Sequence, residues 1–324
     1  MIKLERIIVT SGPITFIREW SKQHTLPGFQ GICLYDVLHT LSAQIKQHGL
    51  NLRAAAISFN LVMAIPAILL FLCTLVPIIP GSNEVYKELL HFVRDFTPNS
   101  DTKQVLVQLL NDFFKKNTTG LISIGFLLVV FTASNAMMGV IRAFDRSLAE
   151  KRKTNFIKKR LRAIRLISML IGLIIGTVLI SAGQGYIFGK IMSWLHIHNE
   201  TVRSLIQNSR LLVGFFLFVY AIGYIYKYAP SYTIKRKLFT PGAAIAAILM
   251  ISITSLFSFW AQNISNYNKV YGSIGSLIII MLLIFLNSLM LLIGYELNLS
   301  IYILAAKRKK IKEIKKDDNV AHKK

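Results

Sequence analysis

The placement of Asp, Glu, Lys and Arg constrains this chain more than any motif, because long stretches contain none of them. Charge-free windows cover residues 54–83, 117–141, 166–189, 211–226, 238–268 and 270–295. A helix rises about 1.5 Å per residue, so about 20 apolar residues cross a hydrocarbon layer about 30 Å thick. Five windows exceed that length. The sixth, 211–226, is short, but Arg210 and Lys227 stand at its rims and their long side chains can snorkel to the interface. Core helices of a soluble protein would each carry a charged face, and barrel strands would alternate, whereas 166–180 and 274–286 are apolar on every face. The expected fold is an all-α integral membrane protein with six transmembrane helices, at about 56–79, 119–141, 166–188, 208–229, 240–262 and 273–303. An interfacial flank (1–53) precedes this transmembrane domain (54–306), and a basic tail (307–324) follows it.

The chain is also strongly basic, with a net charge of +23 from 38 Lys+Arg against 15 Asp+Glu in a composition that is 53% hydrophobic and only 16% charged. Six helices leave seven flanks. Of the basic residues, 29 fall on the N-terminal flank, the second and fourth connections and the C-terminal tail, and 9 on the other three connections. Under the positive-inside rule that bias places both termini in the cytoplasm. The same bias accounts for the basic runs at 142–165 and 307–316 as partners of anionic headgroups. Nucleic-acid binding is not expected, since only Phe144 and Phe156 interleave the first run.

Shorter patterns flank the windows. Leu34, Leu38, Leu41 and Ile45 suggest an amphipathic helix on the N-terminal flank, after a Pro27-Gly28 turn and a small cluster of Ile14, Phe16, Ile17 and Trp20. It can lie on the inner membrane surface or pack against the bundle. In the first outer connection, Val85, Leu89, Phe92, Val93 and Phe96 form one stripe, and Leu106, Leu109, Leu110, Phe113 and Phe114 another, with a Thr97–Asp101 break between them. These predict a helical hairpin over the outer mouth. Met1–Gly12 lacks a long apolar stretch and a cleavage site, so the first hydrophobic helix is expected to act as its own insertion signal. Cys33 and Cys73 imply no disulfide.

No phosphate loop, zinc-protease helix, nucleophile elbow or paired C-x-x-C occurs, and His196-x-His198 with Glu200 reads as a solvated loop. Neither catalysis nor a cofactor nor a metal is expected. More informative are polar groups inside the windows, because a polar atom in hydrocarbon must find a partner or line a cavity. The candidates for a substrate path are Ser58, Asn60 and Pro66 in the first helix, Ser134 and Asn135 in the second, Gln184 in the third, and Asn287, Glu296 and Asn298 in the last. Glu296 is the one acid among the apolar segments, either neutralised by basic neighbours or facing a cavity. Gly172 and Gly176, and Gly242, Ala243, Ala246 and Ala247, form small-residue faces suited to close helix packing.

Four segments in order carry a family resemblance. They are Arg53-Ala54-Ala55-Ala56-Ile57-Ser58-Phe59 leading to Ile65-Pro66; Phe131-Thr132-Ala133-Ser134-Asn135-Ala136 followed by Arg142-Ala143-Phe144-Asp145; Tyr228-Ala229-Pro230 through Thr240-Pro241-Gly242-Ala243; and Tyr271-Gly272-Ser273-Ile274-Gly275 closing on Gly294-Tyr295-Glu296-Leu297-Asn298. Together they resemble the YihY/BrkB family of bacterial inner-membrane proteins, over about 51–301. Asn60 replaces the usual aromatic after the Ser-Phe step, and Ile284-Phe285 stand near the usual Trp. The resemblance implies a six-helix inner-membrane protein linked to envelope or solute export, some of whose members carried a ribonuclease label that these residues do not support. The expected function is transport or export of a polar solute or envelope lipid component. A non-transporting envelope scaffold is the alternative, and homo-oligomerisation is left open.

Overall fold

The computed structural model describes residues 27–75, 119–147, 155–173, 200–231, 237–263 and 265–321, with a few isolated positions outside these ranges. The patterns at 14–20 and 85–114, His196-x-His198 and Gln184 lie outside the described residues. Among the described residues the regular structure is helical and no sheet is present. The helices are α1 (Leu34–His48), α2 (Leu50–Leu75), α3 (Thr119–Asp145), α4 (156–173), α5 (Glu200–Tyr228), α6 (Pro241–Asn263) and α7 (Ser265–Ala321). Among the described residues four stretches are long and apolar enough to cross a membrane: Leu50–Ile68, Gly125–Asp145, Pro241–Trp260 and Ile278–Ile314. Leu212–Tyr228 in α5 is a shorter apolar segment.

Helix α2 packs along α3 and helix α6 along α7, while α7 also meets α2 and α1, and α5 meets α6. The main core gathers at one end of the bundle. It comprises Leu50, Ala54 and Ile57 of α2, the Met137–Phe144 stretch of α3, Val219, Ile222 and Tyr226 of α5, Ala243, Ala246 and Ala247 of α6, and Leu291, Leu292, Tyr295 and Leu299 of α7. A second cluster joins Phe29, Ile32 and Val37 to Leu297 and Ile301. Helix α1 therefore packs against the bundle. Leu34, Leu41 and Ile45 of the expected stripe pack against the buried clusters, while Val37 takes the buried place between Leu34 and Leu41 and Leu38 is 48% exposed.

Charge counting locates apolar spans but not helix ends. Helix α2 starts at Leu50 rather than near 56, separated from α1 by Gly49 alone, whose left-handed φ of 59° closes α1. Helix α4 starts at 156, inside the basic connection, since Lys and Arg are good helix formers. For the same reason α7 continues through the basic tail to Ala321 instead of stopping near 303. Its candidate span, Ile278–Ile314, is about 55 Å long because it runs past the apolar segment into the basic tail. Arg308 of this extension donates to the Gly31 carbonyl at 2.6 Å, tying it to the turn before α1.

Glycine permits the tightest crossing. A Cβ on Gly242 would overlap the Gly294 carbonyl oxygen, and a Cβ on Gly294 would lie 2.5 Å from the Gly242 oxygen and 2.6 Å from Ala246 Cβ and the Tyr226 hydroxyl. The α6–α7 backbones thus touch, which in hydrocarbon is the main way to gain packing enthalpy. At Gly214 of α5 a Cβ would meet nothing within 4 Å. Gly294→Ala should lower thermal stability in detergent by about 1–3 kcal/mol through overpacking, whereas Gly214→Ala should leave it unchanged or raise it by up to about 1 kcal/mol. Melting curves of the two purified variants check this contrast.

Candidate functional site

Arg53 stands one turn into α2, and Glu296 in the middle of α7, 243 residues away in sequence. The fold closes that gap. Arg53 Nη1 donates to Glu296 Oε1 at 2.6 Å, with side-chain exposures of 2% and 0%. The Ser147 hydroxyl, just beyond α3, donates to the same oxygen. Arg53 Nε and Nη2 and Glu296 Oε2 are buried with no hydrogen-bond partner among the described residues. A buried ion pair gains Coulomb energy in a low dielectric but loses hydration on both sides, so removing one partner is far worse than never having the pair. The adjoining turns build an aromatic wall. Phe144 stacks on Tyr295 with centroids 4.0 Å apart, Tyr226 meets both rings edge-on, and its hydroxyl donates to the Leu291 carbonyl at 2.6 Å.

Ser58, Asn60, Asn135 and Asn298 each make a separate contact within or between helices. Asn298 accepts from the Gly242 N–H at 2.9 Å and donates to Thr240 Oγ1 at 2.8 Å, while Thr240 accepts from the Ala243 N–H. The first helical residue, Pro241, has no N–H, so the first donor of α6, the Gly242 N–H, is met by a side chain of α7 and the next by Thr240. Asn60 donates to the Ala56 carbonyl of its own helix and packs against Gly139 of α3. Asn135 accepts from Arg160, whose guanidinium lies 4.4 Å from the Phe131 ring centroid. Ser58 donates to the Ala55 carbonyl. Ser134 is fully buried, and its hydroxyl has no partner among the described residues. Pro66 lies within α2 on an exposed face.

Asn287 lines a cleft. It exchanges hydrogen bonds with Thr254 at 3.2–3.3 Å and donates to the Leu283 carbonyl. The cleft has a volume of about 430 Å³ between α5, α6 and α7, walled by Phe215, Phe218, Met250 and Ile251 with Thr254, Ser255 and Asn287 as its polar edge. Four contributors carry little signal in the sequence. Arg53 reads there as one more basic rim residue, Ser147 and Thr254 have no distinguishing pattern, and Asp145 stands out only as part of a motif. Asp145 accepts from the Ser231 N–H at 2.7 Å and from its hydroxyl at 2.6 Å, with Lys159 3.7 Å away and Arg162 donating to the Ser231 hydroxyl.

These joints bring together the four segments singled out in the sequence: the Arg53 segment meets Glu296, the Thr240–Ala243 segment meets Gly294 and Asn298, and Asp145 meets the turn after Pro230. The sequence profile of the family Virulence factor BrkB matches residues 41–318. The chain belongs to that family. It is a polytopic membrane protein. Among BrkB-family relatives, the Putative ribonuclease-like protein YfkH of Bacillus subtilis is 24% identical over 286 residues, covering 88% of this chain and 99% of its own length. A UPF0761 membrane protein of Tolumonas auensis is 26% identical over 183 residues, 56% of this chain and 58% of the relative. UPF0761 membrane protein NTHI0384 of Haemophilus influenzae is 24% identical over 256 residues, 78% and 90% of the two chains. No solved structure matches. Among the described residues of this BrkB-family chain, no group of three or more His, Cys, Asp or Glu could hold a metal ion.

The incomplete pairing has a measurable signature. Arg53→Leu, which strands Glu296 in the core, should cost about 3–5 kcal/mol, and the double variant R53L/E296L should recover most of that loss. Chemical or thermal unfolding of the two variants in the same detergent reads the difference directly. If the double variant is no more stable than Arg53→Leu, the pair is not what holds α2 to α7.

Proposed function

We propose that the protein moves an amphipathic lipid component of the bacterial envelope across or within the inner membrane, without catalysing a covalent reaction. The observation carrying this reading is the α5–α6–α7 cleft. Its walls are apolar and aromatic, and its polar edge is the neutral trio Thr254, Ser255 and Asn287. A free polar solute needs a hydrated, charge-lined route, whereas an acyl chain needs apolar walls with a few polar contacts for orientation. Of the described polar candidates, Ser58, Asn60, Asn135, Glu296 and Asn298 hold hydrogen bonds within or between helices, which favours a lipid over a polar solute as cargo.

The reading includes six spans with both termini in the cytoplasm. Four long apolar helices, the Leu212–Tyr228 segment and the charge-free window at 166–189 supply the spans, and the 29-to-9 division of basic residues supplies the orientation. The ribonuclease-like name of the Bacillus subtilis relative is not carried over to this chain. A non-transporting envelope scaffold is the second reading, favoured by the use of Asn298, Asn135 and Asp145 as fasteners between helices and turns.

Reconstitution discriminates the two. In vesicles carrying a headgroup-labelled phospholipid, the native protein should accelerate exchange between leaflets. Ser255→Trp, which fills the cleft, should reduce the rate about tenfold or more while the protein still folds. Equal rates with and without protein sink the transport reading and leave the scaffold. Topology is checked separately: on a background lacking Cys33 and Cys73, single cysteines at Ser11 and His322 should react with an impermeant thiol reagent only after cells are permeabilised, and one at Asn199 should react in intact spheroplasts.

A further inference from the structure

The two closely packed helix pairs, α2 with α3 and α6 with α7, are bridged by one ion pair among the described residues, Arg53 with Glu296. Its geometry is that of an unfinished contact. A guanidinium settled on a carboxylate commonly uses two N–H groups against both oxygens. Here one nitrogen of Arg53 and the Ser147 hydroxyl converge on Oε1, while Nε, Nη2 and Oε2 are buried and unused among the described residues. Buried donors of a charged group are seldom left unpaired without a role.

We propose that Arg53 is the binding residue for a phosphate-type anionic group, and that Glu296 occupies it in the present conformation as an exchangeable counter-ion. The free Nε–Nη2 edge is the fork that receives a phosphate bidentately. Ser147 makes the exchange feasible, because Glu296 keeps a donor when Arg53 turns away. The two partners also differ in how firmly they are held. Glu296 belongs to a helix locked to α6 by the Gly242–Gly294 crossing and by Asn298. Arg53 follows Gly49 by four residues, and that left-handed joint has open space around it, since a Cβ placed on Gly49 would meet nothing within 4 Å. Because the pair is buried, anion entry requires the start of α2 to part from α7 while the end of α3 keeps Ser147 on Glu296.

The inference rests on the lipid-transport reading, whose headgroup class it names, yet the two are separable. Asn287 and Glu296 are nine residues apart, about 13.5 Å along α7 and on opposite faces, so variants of the pair leave the cleft intact.

The test uses the full chain in a neutral detergent with three probes: dihexanoyl phosphatidylglycerol, dihexanoyl phosphatidylcholine and inorganic phosphate, each titrated by calorimetry. Glu296→Gln removes the competitor and should bind an anionic probe about tenfold more tightly than the native chain. The neutral pair R53Q/E296Q should keep a melting temperature close to native and lose that binding. Tightening for phosphatidylglycerol alone identifies a lipid headgroup, and equal tightening for inorganic phosphate identifies a free anion; both uphold the site. Unchanged anion affinity in Glu296→Gln, retained affinity in R53Q/E296Q, or equal binding of phosphatidylcholine overturns it. Anion binding without lipid exchange in vesicles would retire the transport reading alone, and native exchange rates in R53Q/E296Q would retire the anion site alone.

Discussion

A carboxylate with no exposed surface needs a positive partner, and the position of that partner organises much of this bundle. Glu296 finds Arg53, which joins the start of α2 to the middle of α7, and Ser147 brings the end of α3 to the same oxygen. Three helices that are distant in sequence therefore converge at one level. The stacked and edge-on rings of Phe144, Tyr295 and Tyr226 fill the adjoining turns and draw in α5. Apolar packing alone would hold these helices only weakly relative to one another, because hydrocarbon solvates a leucine face about as well as another helix does.

The same constraint explains how helix ends are handled. The leading donors of α6 are met by Asn298 and Thr240, and the turn after α5 is met by the Asp145 carboxylate. Each of these groups would be costly if left bare away from water. Joining them across helices satisfies the backbone and sets the relative height of the helices. The Gly242–Gly294 crossing then fixes how closely α6 and α7 approach. The α6–α7 pair, in contact through its glycines, and the α2–α3 pair, entered through the Gly49 joint, are linked by the ion pair.

Much of the fold was legible in the order of residues. The windows at 54–83, 117–141, 238–268 and 270–295 correspond to the four long apolar helices, because a run of uncharged residues has the same meaning wherever its neighbours lie. Helix ends were less legible. Lys and Arg stop a membrane span without stopping a helix, so α4 begins and α7 continues inside basic segments. On α1 the pattern located the packed face through Leu34, Leu41 and Ile45, but contact with Leu297 and Ile301 buried Val37 where it had pointed to Leu38. Glu296 was visible as the one acid out of place, whereas Arg53 was hidden among rim charges that topology already explains.

What the sequence by itself determined is a polytopic helical membrane protein of the BrkB family, since span length, charge distribution and ordered motifs are local properties of the chain. What the tertiary structure decided is the use of each polar residue. Asn60, Asn135, Asn287, Glu296 and Asn298 look alike as polar interruptions of apolar runs, yet one packs on a glycine, one receives an arginine, one edges a cleft, one holds a buried ion pair and one caps a neighbouring helix. Those roles depend on partners from 25 to 243 residues away. Hydrogen bonds and ion pairs act over a few ångströms, and only the packed bundle brings such partners within that range.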